Sequence, residues 1–310
     1  MKVEKEYKFF LYLRGYYNSI FANYKEYLSK KEYLLSKLSD EEISMCYDRK
    51  QYYNKDNFSF RDISSEYTID DLRNIKSPTS YYIDTFEYAR YFDKNYPIRF
   101  VFGDVDFVPK EHAIVKSRPI GNDNGKGILL NLDRQRHFKF IKNDIAYAQK
   151  NDILIGRLSI RKQHRIEFFK KHFNNPNVDI GHVKKNGENA QWFKDRLSYK
   201  EHLNYKYILS LEGYDVATNL KWIMSSNSIA VSPKLKFETW FMEGKLRGGE
   251  HYIEIADDYS DLDEKLDFYL NNPKEALEII HNANEYVKKF RNKYMEELVS
   301  ILVLESLYIS

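Results

Sequence analysis

The sequence has little cysteine and no long apolar run. Cys46 is the single cysteine among 310 residues, so an internal disulfide is excluded and a reducing compartment fits best. The apolar run from Phe9 to Leu13 is too short for a signal-peptide core or a membrane span. We therefore expect a cytoplasmic protein.

An excess of one charge is also missing. There are 49 Lys and Arg against 46 Asp and Glu, and the net charge is +3. Nucleic-acid binding usually needs a concentrated basic surface, so we expect no nucleic-acid partner. Aromatic residues are abundant, with 27 Tyr and 20 Phe. This number is typical of an AT-rich coding bias but also suits aromatic platforms for sugars or bases, and both interpretations stay open.

The pattern of apolar residues changes along the chain. Residues 1–95 are expected to be helical and irregular, with a capping box from Ser39 to Glu42. Short runs broken by Pro, Gly and Asn follow from residue 98 and predict strands. Strands and helices then alternate to residue 290, which predicts a parallel sheet covered by helices. The expected strands are DILIG, VDIGHV, KYILSL, SIAVSP and HYIEI, and the expected helices are 161–173, 216–224, 237–242, 262–270 and 273–290, the last with Asn272 as its N-cap.

A polar segment, EGYDVATNLK at 212–221, directly follows strand KYILSL. Parallel sheets bind ligands beyond the carboxyl ends of their strands. A helix that starts near Val216 would offer free amides to an anion, and Lys221 would add a point charge suited to phosphate. The alternative is that Asp215 only caps this helix and that Lys221 is solvated.

Several motifs resemble glycosyltransferase family 90. The most specific is KYILSLEGYDVATNLKWIMSSNSIAVSP, followed by FETWFMEGKL and HYIEI. IVKSRPI at 114–120, LLNLDRQRHF at 129–138 and GRLSIRKQHR at 156–165 also resemble the family, in its order. The resemblance covers about residues 100–290. It is closer to the bacterial lipopolysaccharide glycosyltransferases than to the eukaryotic protein O-glucosyl- and xylosyltransferases.

The resemblance implies an α/β protein of GT-B type, with two Rossmann-like domains facing across a cleft, here with extra N-terminal helices. It implies inverting transfer from a UDP-sugar to an oligosaccharide or lipid-linked saccharide, without a metal or other cofactor. The expected domains are 1–148 on the acceptor side and 149–290 for the nucleotide sugar. A helix over 291–310 can pack back on the first domain, and peripheral contact with the inner membrane is a further expectation.

On the donor side, the resemblance assigns residues by matching position. An arginine-bearing loop and helix match the segment that faces the diphosphate in relatives. Asn219 stands where the eukaryotic relatives carry an arginine. Neutralisation of the phosphate charge is therefore expected to depend on Lys221 and the arginines. The expected donor-binding residues are Arg157, Arg161, Arg165, Gly213, Asp215, Asn219, Lys221, Ser228 and Glu238.

Inverting transfer needs a base for the acceptor hydroxyl. In eukaryotic relatives this base is an aspartate in a loop before an apolar strand. KSRPIGNDNGKGILL has that layout, and Asp123 is its only carboxylate, so Asp123 is the expected base. Asp133 is the alternative, and a simple turn role for Asp123 stays open. The first-domain side of the cleft is expected to include Lys116, Arg118 and His137.

Asp104 and Asp106 in FGDVDF resemble the metal-binding Asp-x-Asp of the other large glycosyltransferase fold. Alternation along a strand would place both carboxylates on one face. Such a short pattern is common in a chain with 46 acidic residues, and the histidines show no zinc-ligand spacing, so we expect no metal site. A catalytically inactive glycan- or nucleic-acid-binding module on the same fold is the alternative function.

Overall fold

The computed structural model describes residues 2–4, 7–74 and 79–309. The chain forms two compact units. The sheet unit contains residues 2–4, 138–236 and 245–288, and the helix-rich unit contains the other described residues, 7–74, 79–137, 237–244 and 289–309. These boundaries differ from the expected ones, because residues 138–148 belong to the sheet unit and residues 237–244 to the helix-rich unit.

The helices and strands of the described residues are numbered in chain order. The helices are α1 (Lys8–Ile20), α2 (Tyr27–Leu35), α3 (Asp40–Tyr53), α4 (Thr79–Ala89), α5 (Arg134–His137), α6 (Gln163–His172), α7 (Tyr199–His202), α8 (Leu220–Met224), α9 (Leu262–Asn271), α10 (Pro273–Lys288) and α11 (Lys293–Tyr308). The strands are β1 (Lys2–Glu4), β2 (Tyr67–Thr68), β3 (Pro97–Ile98), β4 (Phe100–Val101), β5 (Ala113–Val115), β6 (Ser117–Pro119), β7 (Gly127–Leu129), β8 (Phe140–Lys142), β9 (Asn151–Leu158), β10 (Val178–His182), β11 (Tyr205–Leu209), β12 (Ile229–Pro233), β13 (Phe237–Thr239) and β14 (Ile253–Ile255).

The sheet unit is built around a five-stranded sheet in the order β10-β9-β11-β12-β14. Every neighbouring pair is parallel, which confirms the predicted parallel sheet. Residues such as Ile155, Ile208 and Val231 are fully buried. Strands covered on both faces favour apolar residues at successive positions, and the central strands β11 and β12 show this at 207–209 and 229–231. The edge strands β10 and β14 include Asp179 and Glu254.

Two predicted helices differ in the structure. Residues 237–242 were expected to be helical, but Phe237–Thr239 forms β13 and pairs antiparallel with β6. The partner strand decides this conformation, which the local sequence does not specify. The helix expected over 216–224 begins only at Leu220, because a turn in which the Gly213 amide donates to the Asp215 carbonyl precedes it. Five residues form α8, so it offers no extended helix terminus for an anion.

The helix-rich unit packs α1 against α4, and α3 against α11. The predicted capping box at the start of α3 is confirmed, because the Ser39 side chain accepts from the Glu42 amide at 3.2 Å. Helix α11 is buried along most of its length, as expected for a helix that is apolar on all faces. None of the helices in residues 2–4, 7–74 and 79–309 combines the length and apolarity needed to span a bilayer.

Candidate functional site

A cavity lies at the point where the strand order of the parallel sheet reverses. Helix α6 leads from β9 to β10 on one side, whereas β11, β12 and β14 follow on the other. Open α/β sheets hold ligands beyond the carboxyl ends of the strands at such a point. The cavity there, called the switch-point cavity below, has a volume of about 470 Å³. Its lining residues are Arg157, Leu158, Ser159, Arg165, Val183, Arg196, Leu197, Tyr199, His202, Leu209, Leu211, Ala217, Thr218, Asn219 and Trp222.

Arg165 supplies a partly buried positive charge to this cavity. Its guanidinium donates to the carbonyl oxygens of Ser159 at 2.8 Å, Leu211 at 2.6 Å and Glu212 at 2.8 Å. All three acceptors are neutral, and burial lowers the pKa of Arg165 to about 10. Burial penalises the charged form and here outweighs Tyr259 and the Glu212 carboxylate, which raise the pKa of Arg165. An anion bound in the cavity would offset that penalty.

Arg157 also lines the cavity, but its charge is already compensated. One of its terminal nitrogens donates to both carboxylate oxygens of Asp179, each at 3.0 Å. Lys194 contacts the same carboxylate at 2.7 Å. Burial raises the pKa of Asp179, but the hydrogen bonds from Arg157 and Lys194 outweigh it and lower the pKa. Arg157 therefore contributes less net charge to the cavity than Arg165.

The cavity has an aromatic side that the sequence analysis missed. The Tyr199 and Trp222 rings meet edge to face, with centroids 5.1 Å apart, and the exposed Arg196 lies beside them in the lining. Residues 183–198 follow β10 at the same carboxyl edge of the sheet. Parallel sheets bind ligands beyond the carboxyl ends of their strands. This principle points to the segment after β10 as much as to the segment after β11, so position after a strand is the signal that could have found Arg196 and Tyr199.

Asn219 and Gly213 shape the loop after β11. The Asn219 amide donates to the Leu209 carbonyl at 2.8 Å and its oxygen accepts from the Ser210 hydroxyl at 3.2 Å. A Cβ atom at Gly213 would lie 3.3 Å from a terminal nitrogen of Arg165, which is tighter than most packed contacts. The glycine thus allows the guanidinium to approach the loop.

Other expected donor-binding residues lie elsewhere. Lys221 is fully buried, with its ammonium 5.8 Å from the centre of the Phe138 ring, and it is outside the cavity lining. Asp215 is buried, and Arg161 is exposed and outside the lining. The structure therefore brings Arg157, Arg165 and Asn219 together at the cavity and leaves these three residues out of it.

Ser228 lies at the opposite edge of the sheet. It immediately precedes β12, and its hydroxyl donates to the Tyr205 carbonyl at 2.7 Å at the start of β11. Because the strands are parallel, their amino ends share one edge and the switch-point cavity lies at the other. Ser228 connects two strand starts and does not contribute to the cavity.

Glu238 and Arg118 form a buried ion pair in the helix-rich unit. They face each other across β13 and β6, and Arg118 Nε donates to Glu238 at 2.8 Å. Asn124 and the Tyr52 hydroxyl also donate to Glu238. The Arg118 guanidinium donates further to the carbonyls of Tyr52 and Gly127. Both charged side chains are at most 1% exposed, so their described contacts hold the two strands together.

Five polar residues of the helix-rich unit form a carboxylate cluster, namely Asp104, Lys116, Asp133, Arg136 and His137. Asp104 pairs closely with Lys116 and lies 2.8 Å from Arg136. Arg136 Nε lies 2.9 Å from Asp133, and His137 is 3.9 Å from the same carboxylate. Lys116 and His137 were expected at the first-domain side of the cleft, and Asp133 was the alternative base. Asp104 and Arg136 were not expected on the acceptor side.

The two carboxylates of the cluster have opposite pKa shifts. Burial raises the pKa of Asp104, but Lys116 and Arg136 outweigh it and the net shift is downward. For Asp133, burial raises the pKa more than Arg136 and Lys116 lower it. The Asp104 side chain is 35% exposed and that of Asp133 is 9% exposed. Asp133 also has a φ of 54°, an unusual left-handed conformation often kept at functional sites. Asp104 is therefore the more accessible and more readily ionised carboxylate.

Asp123 and Asp106 lie outside this cluster. Asp123 is exposed in the turn between β6 and β7. Asp104 and Asp106 come after β4, which ends at Val101, so alternation along a strand does not place them on one face. Within residues 2–4, 7–74 and 79–309, no group of three or more His, Cys, Asp or Glu side chains is placed to hold a metal. The expectation that no metal is needed stays a prediction.

Comparison with known proteins identifies two similarities. The model of the family described as "Glycosyl transferase family 90" matches residues 141–303, a segment that contains every residue lining the switch-point cavity. The chain is also 38% identical over 233 residues to the protein named O-glucosyltransferase LpsA from Dichelobacter nodosus. The aligned region covers 75% of this chain and 73% of that protein.

Proposed function

Because the chain belongs to glycosyl transferase family 90, we propose that it transfers a sugar from a UDP-sugar to a saccharide acceptor with inversion at the anomeric carbon. The family resemblance seen in the sequence is confirmed, and the chain is a glycosyltransferase. The UDP-linked donor, the inverting course, the GT-B arrangement and independence of metal are parts of the proposal. So is an acceptor in the cell envelope, such as lipopolysaccharide, which the bacterial members of the family support.

The partly buried Arg165 charge at the switch-point cavity carries the proposal. A nucleoside diphosphate brings negative charge to a site where the described guanidinium contacts are neutral carbonyls. Arg196 adds a further cation to the lining, and the Tyr199–Trp222 side offers aromatic surface to a base. The volume of about 470 Å³ falls in the range of about 300–1,000 Å³ that is typical of small-ligand sites.

Glucose is the transferred sugar that the name of the relative supports. The first assay is therefore release of UDP from UDP-glucose, with and without a saccharide acceptor, beside UDP-galactose and UDP-xylose. A thermal-shift series gives an independent readout. UDP at 100 times its dissociation constant stabilises a folded protein by about 2.7 kcal/mol. Failure of all three UDP-sugars to shift the melting temperature would argue against a UDP-linked donor.

The reaction requires a proton acceptor and a stabilised leaving group. The acceptor oxygen attacks the anomeric carbon as the bond from that carbon to the phosphate oxygen breaks, and UDP leaves with the electron pair. A carboxylate takes the hydroxyl proton. We assign this role to Asp104 in preference to Asp123, because Asp104 is fixed by two cations and remains 35% exposed. Asp133 would position Arg136 against Asp104.

Arg165→Gln is expected to weaken UDP binding. A hydrogen bond to a charged group contributes about 1.5–3 kcal/mol, so affinity should fall by about ten- to a hundredfold. Isothermal titration calorimetry with UDP measures the effect, and the melting temperature checks folding. Lys221→Met is the matched comparison, because Lys221 is an expected donor-binding cation outside the cavity lining. If Lys221→Met lost affinity and Arg165→Gln kept it, the diphosphate would not lie at Arg165.

Chelation is expected to leave activity intact. Cations of the protein, chiefly Arg165 and Arg196, would neutralise the departing diphosphate in place of a metal ion. UDP release should therefore change by less than about twofold after EDTA treatment, since no Lewis acid contributes to the barrier. Abolished turnover that Mn²⁺ or Mg²⁺ restores would contradict this, and Asp106→Asn would then test the Asp-x-Asp segment.

A further inference from the structure

The outward face of α1 carries an unusual concentration of exposed large apolar side chains. Phe9 is 69% exposed and Tyr16 is 66% exposed. Positions separated by three or four residues are neighbours on a helix, so these side chains form one continuous surface. Soluble monomers rarely expose contiguous apolar patches larger than a few hundred Å² without a functional reason. The α1 face consists of Phe9, Phe10, Tyr12, Leu13, Tyr16, Tyr17 and Ile20.

The packing of the inward face of α1 against α4 keeps the aromatic side chains of α1 on the outside. Its buried residues are Leu11, Gly15 and Asn18, so a glycine and an amide face inward while aromatic rings face outward. A Cβ atom at Gly15 would lie 2.7 Å from the Ile83 side chain of α4. The close approach of α1 to α4 thus depends on glycine, and a rotation that buried the aromatic rings would bring larger side chains into this contact.

The chemistry of the α1 face fits a lipid surface. Phenyl and aliphatic groups can enter the boundary of the acyl chains, while phenol rings favour the headgroup level. Four of the six Lys and Arg in residues 7–37 pair with carboxylates of other segments, and these four are Arg14, Lys25, Lys30 and Lys31. The charge that such a surface could offer to headgroups therefore comes from the other two, Lys8 and Lys37. Exposed Lys8 and Lys37 stand 5.7 Å and 5.2 Å from the centres of the Tyr12 and Tyr33 rings. Basic and aromatic side chains are therefore interleaved, which suits anionic headgroups.

We propose that α1 docks the protein in the plane of an anionic lipid bilayer. A second copy of the α1 face would bring no countercharge to Lys8, because residues 8–20 contain no Asp or Glu, whereas anionic headgroups complement this ammonium group. The proposal does not rest on sugar transfer, because no residue of the α1 face lines the switch-point cavity or belongs to the carboxylate cluster.

Flotation with vesicles tests the proposal. The full chain should float with vesicles of phosphatidylglycerol and phosphatidylethanolamine, float less with phosphatidylcholine vesicles, and lose binding as salt rises. The double variant Phe9→Ser and Phe10→Ser removes two exposed rings. From the burial free energy of a phenyl side chain, it should lower the partition coefficient on the order of tenfold or more. Phe268→Ser is the matched control, because Phe268 is 49% exposed on α9, and it should float as the unchanged protein does.

Two outcomes would overturn the proposal. One is equal flotation of the double variant and the unchanged protein. The other is a dimer without lipid, seen by analytical ultracentrifugation, that the double variant abolishes, because the α1 face would then belong to a second copy. UDP affinity and UDP release without vesicles should stay unchanged in the double variant. Failure of lipid binding is thereby distinguished from failure of the proposed enzymatic function.

Discussion

Asp104→Asn is expected to lower turnover by about 10²–10⁴-fold, the usual cost of removing a positioned general base. The asparagine keeps the shape and can still accept a hydrogen bond from Arg136, which lies 2.8 Å from Asp104, but it cannot take a proton from the acceptor hydroxyl. UDP affinity should be retained, because the proposed donor residues are different side chains. Steady-state release of UDP in the presence of acceptor measures the loss, and calorimetry measures the affinity.

Asp123→Asn and Asp133→Asn are the comparison variants. Asp123 is exposed in a turn, so its substitution should change turnover by less than about twofold if Asp104 is the base. Asp133→Asn should have an intermediate effect, because it releases Arg136 from one of its two carboxylate partners. Normal turnover of Asp104→Asn beside an inactive Asp123→Asn would return the role to the residue expected from sequence.

The pH profile separates Asp104 from Asp133. Lys116 and Arg136 outweigh burial and lower the pKa of Asp104, so this carboxylate stays deprotonated as pH falls through the ordinary aspartate range. Burial raises the pKa of Asp133, so a base at that position would become protonated at higher pH. The acidic limb of kcat/KM reports the base in the free enzyme. We expect the midpoint of that limb at a pH below the ordinary aspartate pKa of 3.8. A midpoint above this value would favour Asp133 as the base.

Glu238→Gln is expected to destabilise the protein by about 3–5 kcal/mol, because removing one partner of a buried pair leaves the other charge uncompensated. The Arg118 side chain is fully buried and 2.8 Å from Glu238. The glutamine keeps the hydrogen-bonding shape and removes only the charge. Equilibrium unfolding in urea, followed by circular dichroism, measures the change.

A surface pair provides the control. Glu250 lies 3.3 Å from Arg247, and its side chain is 44% exposed, so Glu250→Gln should change stability by at most about 1 kcal/mol. The resemblance assigned Glu238 to donor binding, which predicts a different result. Near-normal stability with a large loss of UDP affinity would restore that assignment, whereas a large loss of stability with normal affinity of the folded fraction supports a structural role.

Local signals explain which elements the sequence predicted. The three central strands of the parallel sheet contain short apolar runs, at 153–155 in β9, 207–209 in β11 and 229–231 in β12, and burial on both faces favours that pattern. The start of α3 depends on a reciprocal contact between Ser39 and Glu42, which are three residues apart. By contrast, Phe237–Thr239 becomes a strand only because β6 lies beside it, and its own residues suit a helix equally well.

Position along the chain predicted the strands and helices better than it predicted which side chains line the switch-point cavity. Asn219 and Lys221 are two residues apart, yet one lines the switch-point cavity and the other is fully buried outside it. Successive residues near a helix start point in different directions, so a motif alone cannot say which of them faces a ligand. Arg196 was missed because its segment carries no motif and joins the cavity only through the position of β10 beside β9.

The sequence by itself determined the family, the α/β class, the parallel sheet and the arginine-bearing segment of 156–165, because these depend on residue type and on spacing within a short stretch. Only the tertiary structure decided where the charges act. The order β10-β9-β11 creates the switch-point cavity, and the pairing of β6 with β13 turns Arg118 and Glu238 into a buried pair. Packing brings Asp104 to Arg136, 32 positions away. Strand order and buried charge pairs are contacts between distant segments, and the local pattern of a chain does not specify which distant segment will be the neighbour.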